Sequence, residues 1–236
     1  MIRWLTPILL AQTAYVAEQT AQVHGVLGGS IRLSPALPDG FRTRDVFWKH
    51  LSRSDELVAS FSRGFSETTY RSRFFGRVQL GSDFTLQIGG LEPGDSGMFS
   101  CHLVDTEGHM ALFQFHLTVY EAVAPPLIQV FVLRGRAEAT GCSVLLSCNT
   151  TAGSDVSYTW TANSGRGDPL NTTYTLYDGG RLLRTSLEPG DSDASYTCTA
   201  SNAVSQGHEA VVPWHGCSGQ WRGYYNKSPP WRGKQP

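Results

Sequence analysis

The stretch LEPGDSGMFSC, residues 91–101, is spelled again as LEPGDSDASYTC, residues 187–198. Each copy opens on an apolar residue, turns through Pro-Gly-Asp and ends on a cysteine. In the first, Asp95, Gly97, Phe99 and Cys101 stand two residues apart. On a strand this spacing sends Phe99, Cys101 and Leu103 to one face, and that face is apolar. The second copy is offset by one residue, so that Ala194, Tyr196 and Cys198 carry the pattern and Ser192 takes the acidic position.

A run of Asp-x-Gly-x-aromatic-x-Cys reads as the turn into strand F of an immunoglobulin sandwich, the aromatic holding the corner and the cysteine facing the core. Each copy should then follow a strand B cysteine and a strand C tryptophan. Before the second copy, Val144, Leu146 and Cys148 alternate inward along one strand, and Val156, Tyr158 and Trp160 along the next. Cys148 and Cys198 are thus expected to form the inter-sheet bond beside Trp160 and the corner residue Tyr196. Closing that loop stabilises the fold by roughly 4 kcal/mol on chain entropy. Before the first copy stands Trp48, in DVFWKHL, but GGSIRLS offers Leu33 where the cysteine belongs. The first sandwich must hold by packing, with Leu33, Trp48 and Phe99 around the free thiol of Cys101. An unpaired cysteine in a secreted chain also raises an intermolecular bond, and the shared parity with Phe99 and Leu103 favours burial. Four cysteines allow three connectivities. Because strand B begins and strand G ends at the same end of a sandwich, Cys142, opening strand B, should pair with Cys217, which follows the strand G candidate HEAVVPW.

Tryptophan to cysteine spans 53 residues in the first copy and 38 in the second, leaving room in the first for an added C′–C″ hairpin. The reading is an all-β chain of two tandem immunoglobulin-like sandwiches, variable-type over residues 21–120 and constant-type over 127–217. Arg73 and Phe74, then Phe84, Leu86 and Ile88, mark strands D and E, with Arg73 set to pair with Asp95 across the base of the sandwich. Strand G of the first domain, through Phe113, Phe115, Leu117 and Val119, runs into a linker at 121–126, where Pro125 and Pro126 favour an extended, semi-rigid connection.

The first twenty residues read as a secretory leader: Arg3, an apolar run from Trp4 to Leu10, small residues at Ala11, Ala14 and Ala17, and no acid before Glu18. Past them no stretch approaches the roughly 20 apolar residues of a membrane span. Residues 218–236 are polar, rich in Gly and Pro, and have the composition of a disordered tail. The chain is expected to be extracellular, and secreted if it is complete. With a net charge of -1, it has no electrostatic reason to bind nucleic acid.

A variable-type domain without its inter-sheet disulfide, followed by a constant-type domain with a second cysteine pair and the ending PWHGC, resembles the signalling lymphocytic activation molecule (SLAM) family of leukocyte receptors. The stretches SDELVASF, SRFFGRVQL, LEPGDSGMFS and YEAVAPPLIQVF carry the likeness, which covers residues 21–217. It implies an adhesion and signalling receptor of the cell membrane, its partner a second copy or another SLAM-type protein bound through the GFCC′ sheet of the first domain. By alternation the outward residues of that sheet are Phe47 and Lys49 on C, Val58 and Ser60 on C′, His102 and Val104 on F, and Gln114 and His116 on G. A different reading of the same sequence is a secreted decoy or structural protein that does not associate with itself.

Asn149-Thr-Thr, Asn171-Thr-Thr and Asn226-Lys-Ser are glycosylation sequons, all outside the first domain. Asn149 follows the inward Cys148 and so faces solvent. Arg166-Gly167-Asp168 spells an integrin tripeptide after strand C, but three-letter matches arise by chance and no function is expected of it. The seven histidines show no spacing to cysteine or carboxylate that suggests a metal. No GxSxG, HExxH or phosphate loop occurs. No catalytic residue, metal, cofactor or small-molecule substrate is expected.

Overall fold

The computed structural model describes residues 15–52, 54–133, 141–164 and 173–217, with side chains from Thr20 onward. The chain divides between Tyr120 and Glu121 into two compact units. Residues 1–14 of the expected leader lie outside the described residues, and from Tyr15 the backbone is already a strand.

The first unit runs β1 (Tyr15–Val26), β2 (Ser30–Leu33), β3 (Thr43–Leu51), β4 (Glu56–Ser62), β5 (Phe65–Glu67), β6 (Val78–Leu80), β7 (Leu86–Gly89), β8 (Gly97–Asp105) and β9 (Met110–Tyr120). One sheet has the order β1-β9-β8-β3-β4-β5 and the facing sheet β2-β7-β6. β1 runs parallel to β9, and the other pairs are antiparallel. Strand alternation turns Leu33, Trp48, Phe99, Cys101, Leu103 and Leu117 into the core, all of them fully buried. The hairpin of β4 and β5 turns on Arg63 and Gly64, both with positive φ, the two-residue turn whose twist matches antiparallel strands.

The second unit runs β10 (Leu127–Leu133), β11 (Cys142–Asn149), β12 (Ser157–Asn163), β13 (Tyr174–Tyr177), β14 (Leu182–Leu187), β15 (Ser195–Ser201) and β16 (Gln206–Val211), closed by a single helical turn, α1 (Trp214–Cys217). Its sheets are β10-β11-β14-β13 and β12-β15-β16, the four-plus-three layout of a constant-type immunoglobulin domain. Cys148 is bonded to Cys198 across the sheets, and Cys142 to Cys217. Cys101 is a free, buried thiol.

The repeated words build the same piece twice. Pro93–Asp95 and Pro189–Asp191 are single 3-10 turns closed by a capping box: Asp95 accepts from the Glu92 amide and Asp191 from the Glu188 amide, each at 2.9 Å. The acidic position of the second copy is therefore Asp191 and not Ser192, because the turn aligns the Glu-Pro-Gly-Asp words and the extra residue is accommodated after them. Both tryptophans are anchored alike: Trp48 Nε1 donates to the Phe84 carbonyl at 3.0 Å and Trp160 Nε1 to the Gly180 carbonyl at 2.7 Å. Each carbonyl belongs to the turn just before the strand, β7 or β14, that lies across the core.

Asp95 pairs with Arg77 and not with Arg73. The two Arg77 terminal nitrogens donate to its two carboxylate oxygens at 2.7 and 2.9 Å. The physical reason lies in strand D, which begins at Val78 because residues 72–77 form turns. The arginine that enters the strand, and so reaches the base of the sandwich, is Arg77. Arg73 instead donates to the Gly94 carbonyl and stands 3.5 Å from Glu56.

Candidate interaction site

The sheet β9-β8-β3-β4 presents its outer face in rows set by register. Ser60, Phe47, His102 and Leu112 form one row, and Leu57, Lys49, Ser100 and Gln114 the next. Val104 and Met110 lie on one side of them, Met98 and His116 on the other. Phe47, Leu57, Val104 and Leu112 are half-buried, which gives the face an apolar centre. Gln114 and His116 are tied to the first strand, Gln114 accepting from Thr20 at 3.4 Å and His116 Nδ1 lying 2.9 Å from Gln22 Oε1.

Two residues expected on this face are not exposed. Val58 is fully buried in the core, because a bulge between Trp48 and Lys49 in the β3–β4 pairing puts Val58 and Ala59 both inward. Its place on the outer face is taken by Leu57, paired with Lys49. Ser60 stands opposite Phe47, but it is buried and its hydroxyl is 2.7 Å from the Tyr70 hydroxyl. Leu57 and Leu112 escaped the sequence reading. Leu112 shares the parity of Gln114 and was legible, whereas nothing in SDELVASF announces the bulge that exposes Leu57.

The electrostatics of the face are mild. Burial, and after it the charge of Lys49, holds His102 below the ordinary histidine pKa, while Asp55 opposes the shift. His102 is therefore neutral at physiological pH. Ser100, 1% exposed between Lys49 and Gln114, has a hydroxyl without a hydrogen-bond partner among the described residues. A face of this kind, apolar at the centre with polar groups around it, can bury side chains of another protein.

Elsewhere, burial pushes the Cys101 thiol far above its ordinary pKa, which leaves it an inert, small apolar group. Asn149 is exposed at the end of β11. Asn171, Asn226 and Arg166-Gly167-Asp168 lie outside the described residues. Among the described residues no group of three or more His, Cys, Asp and Glu could hold a metal ion, and no helix is long and apolar enough to cross a membrane.

Residues 18–120 match the family described as immunoglobulin V-set domain. The chain is 31% identical over 159 residues to the signaling lymphocytic activation molecule of Mus musculus, covering 65% of this chain and 43% of that protein. It is 28% identical over 193 residues to the T-lymphocyte surface antigen Ly-9 of Homo sapiens, covering 78% and 27%, and 25% identical over 240 residues to SLAM family member 6 of Mus musculus, covering 97% and 63%. The chain thus spans less than half the length of the first two. Among solved structures, murine CEACAM1b superposes with a TM-score of 0.62 at 19% identity over 82% of this chain and 97% of that one, a likeness of fold. The first unit is an immunoglobulin V-set domain, in a chain whose homologues include members of the SLAM family.

Proposed function

We propose that this chain is the extracellular part, or a soluble form, of a leukocyte recognition protein of the SLAM type, resembling SLAM family member eight. In this reading its first unit binds a second copy, or a SLAM-type relative, through the β9-β8-β3-β4 face, and that contact modulates immune-cell activation. The observation that carries the reading is the face itself: Phe47, Leu57, Val104 and Leu112 grouped on one sheet face, with Lys49 and Asp55 both close to His102. A two-fold contact needs a surface complementary to itself, which opposite charges beside an apolar centre supply. Residues 1–120 contain no asparagine, so no N-linked glycan is attached to the first unit.

The test is binding of soluble protein to an immobilised copy. Phe47→Ala and Lys49→Glu are each expected to weaken it by about tenfold or more, with unfolding midpoints unchanged, while Phe75→Ala, at an exposed residue off this sheet, leaves it intact. Unaltered binding in both face variants would overturn the assignment of the face. Failure of the unmodified protein to bind itself, with capture by a relative, would favour the decoy reading.

A further inference from the structure

The second unit carries apolar side chains on the outer face of its four-stranded sheet that its core does not use. On β10, Ile128 and Val130 pack into the core, so Leu127, Gln129 and Phe131 point outward. Leu127 is 62% exposed and Phe131 41%. Register extends them into rows: Leu127 beside Asn149, then Gln129, Ser147, Leu182 and Tyr177, then Phe131, Leu145, Arg184 and Thr175. Leu127, Phe131, Leu145 and Leu182 thus make an apolar strip interleaved with polar groups, open to solvent.

Asn149 stands at the head of this strip, in the first position of an Asn-Thr-Thr sequon. Cys148 is buried in the core, so Asn149 belongs to the outer face. Its amide does not stand away from the sheet. Asn149 Nδ2 donates to Ser147 Oγ at 3.0 Å, which lays the amide along β11 over the strip. The second hydrogen on Nδ2 is the one that a sugar would replace. The Thr150 hydroxyl is engaged with the Ala124 and Ala152 carbonyls, while Thr151, whose hydroxyl the sequon requires, is exposed.

We propose that Asn149 carries an N-linked glycan whose first sugars lie on this strip, so that the apolar outer face of the second unit is a seat for the protein's own carbohydrate and not a site for a protein partner. The modification is a group transfer from a lipid-linked oligosaccharide pyrophosphate: a bond forms between Nδ2 and the sugar C1, the C1–O bond to phosphate breaks, Nδ2 gives up one proton, and the lipid pyrophosphate leaves. A pyranose ring is apolar on its C–H face and polar at its edge, and the rows match both. Leu127, Leu145, Phe131 and Leu182 meet the ring faces and the acetamide methyl groups, while Gln129, Ser147 and Arg184 meet the hydroxyls. Leu145 lies four residues along the strand from Asn149, about 13 Å, within reach of the first few sugars. The seat also removes from water an apolar surface that would otherwise invite association.

The test uses the whole chain secreted from a eukaryotic cell. Peptide mapping is expected to find Asn149 occupied. Thr151→Ala, which deletes the sequon without touching Asn149, is expected to lower the second unit's melting temperature by about 4–8 °C and to increase binding of an apolar fluorescent dye. In a Phe131→Ser, Leu145→Thr background, removing the same sequon should shift the melting temperature by less than about 1 °C. Should Thr151→Ala not be secreted, amidase removal of the glycan from the secreted protein makes the same comparison. An unoccupied Asn149, an equal loss in both backgrounds, or dye binding that ignores the glycan would overturn the proposal.

Discussion

Asp95 is a carboxylate with 1% of its surface left to solvent, held by an arginine whose side chain is 19% exposed. Burial alone would raise its pKa, but the Arg77 hydrogen bonds, the Glu92 amide and the arginine charges outweigh it and hold the group below the ordinary carboxylate range. Removing one partner of such a pair strands the other, which costs about 3–5 kcal/mol. Arg77→Ala should therefore destabilise the first unit by that amount in urea unfolding, whereas Arg73→Ala, at a solvent-exposed pair, should cost at most about 1 kcal/mol. Equal losses would contradict the assignment. His50 makes the complementary case. It is buried against the rings of Phe74 and Phe99. Gly97 packs against it so closely that a Cβ there would lie 2.8 Å from the imidazole. Burial, then Arg73, depresses its pKa against the opposing pull of Glu56 and Asp95. A depressed histidine binds fewer protons folded than unfolded. Its contribution is present in full above the unfolded value of about 6.5 and is lost as pH falls below it. The first unit's unfolding midpoint should accordingly fall between pH 7.5 and 5, and His50→Leu should flatten that fall. A slope unchanged by the substitution would show that another group sets it.

At the scale of the strand, the bulge in β4 separates two adjacent residues into different roles. Val58→Ala removes buried atoms and should cost about 2 kcal/mol of stability, read by chemical unfolding, with self-binding unaltered once the protein is folded. Leu57→Ser should do the reverse, leaving the midpoint within about 0.5 kcal/mol and weakening the binding. If Val58→Ala weakened binding and Leu57→Ser did not, the register of β4 described above would be wrong. This strand also marks how far the sequence could be read. Along β3, β8 and β9 an unbroken period of two is enough to send Phe47, Lys49, His102, Val104, Gln114 and His116 outward. One inserted residue in β4 reverses the parity from Val58 toward Glu56, and short-range composition carries no mark of it. The Arg73 expectation failed for a related reason: two arginines four residues apart, both before a strand, cannot be ranked until the start of the strand is known. The tryptophan positions and the cysteine pairs of the second unit were legible because each rests on local chemistry at fixed spacing, whereas the acidic position of the second turn was read one residue late, at Ser192 instead of Asp191.

At the scale of the molecule, the two units are stabilised by different means. The second is crossed by disulfides separated by 50 and 75 residues, while the first has none and packs Leu33, Trp48 and Phe99 around Cys101. Reduction should therefore lower the second unit's stability by about 4 kcal/mol or more and leave the first unit's calorimetric transition where it was. A shift of the first transition on reduction would mean that Cys101 had been bonded. The same contrast separates two modes of self-association. An interface on the β9-β8-β3-β4 face needs no thiol, whereas a bond through Cys101 would need the core opened. Sedimentation velocity of the secreted, glycosylated chain, across concentration and with and without mild reductant, is the most direct measurement. Reversible dimers are expected, with a population that follows mass action, ignores reductant and falls with Lys49→Glu. Dimers abolished by reductant, or a monomer at every concentration, would contradict self-association through the β9-β8-β3-β4 face.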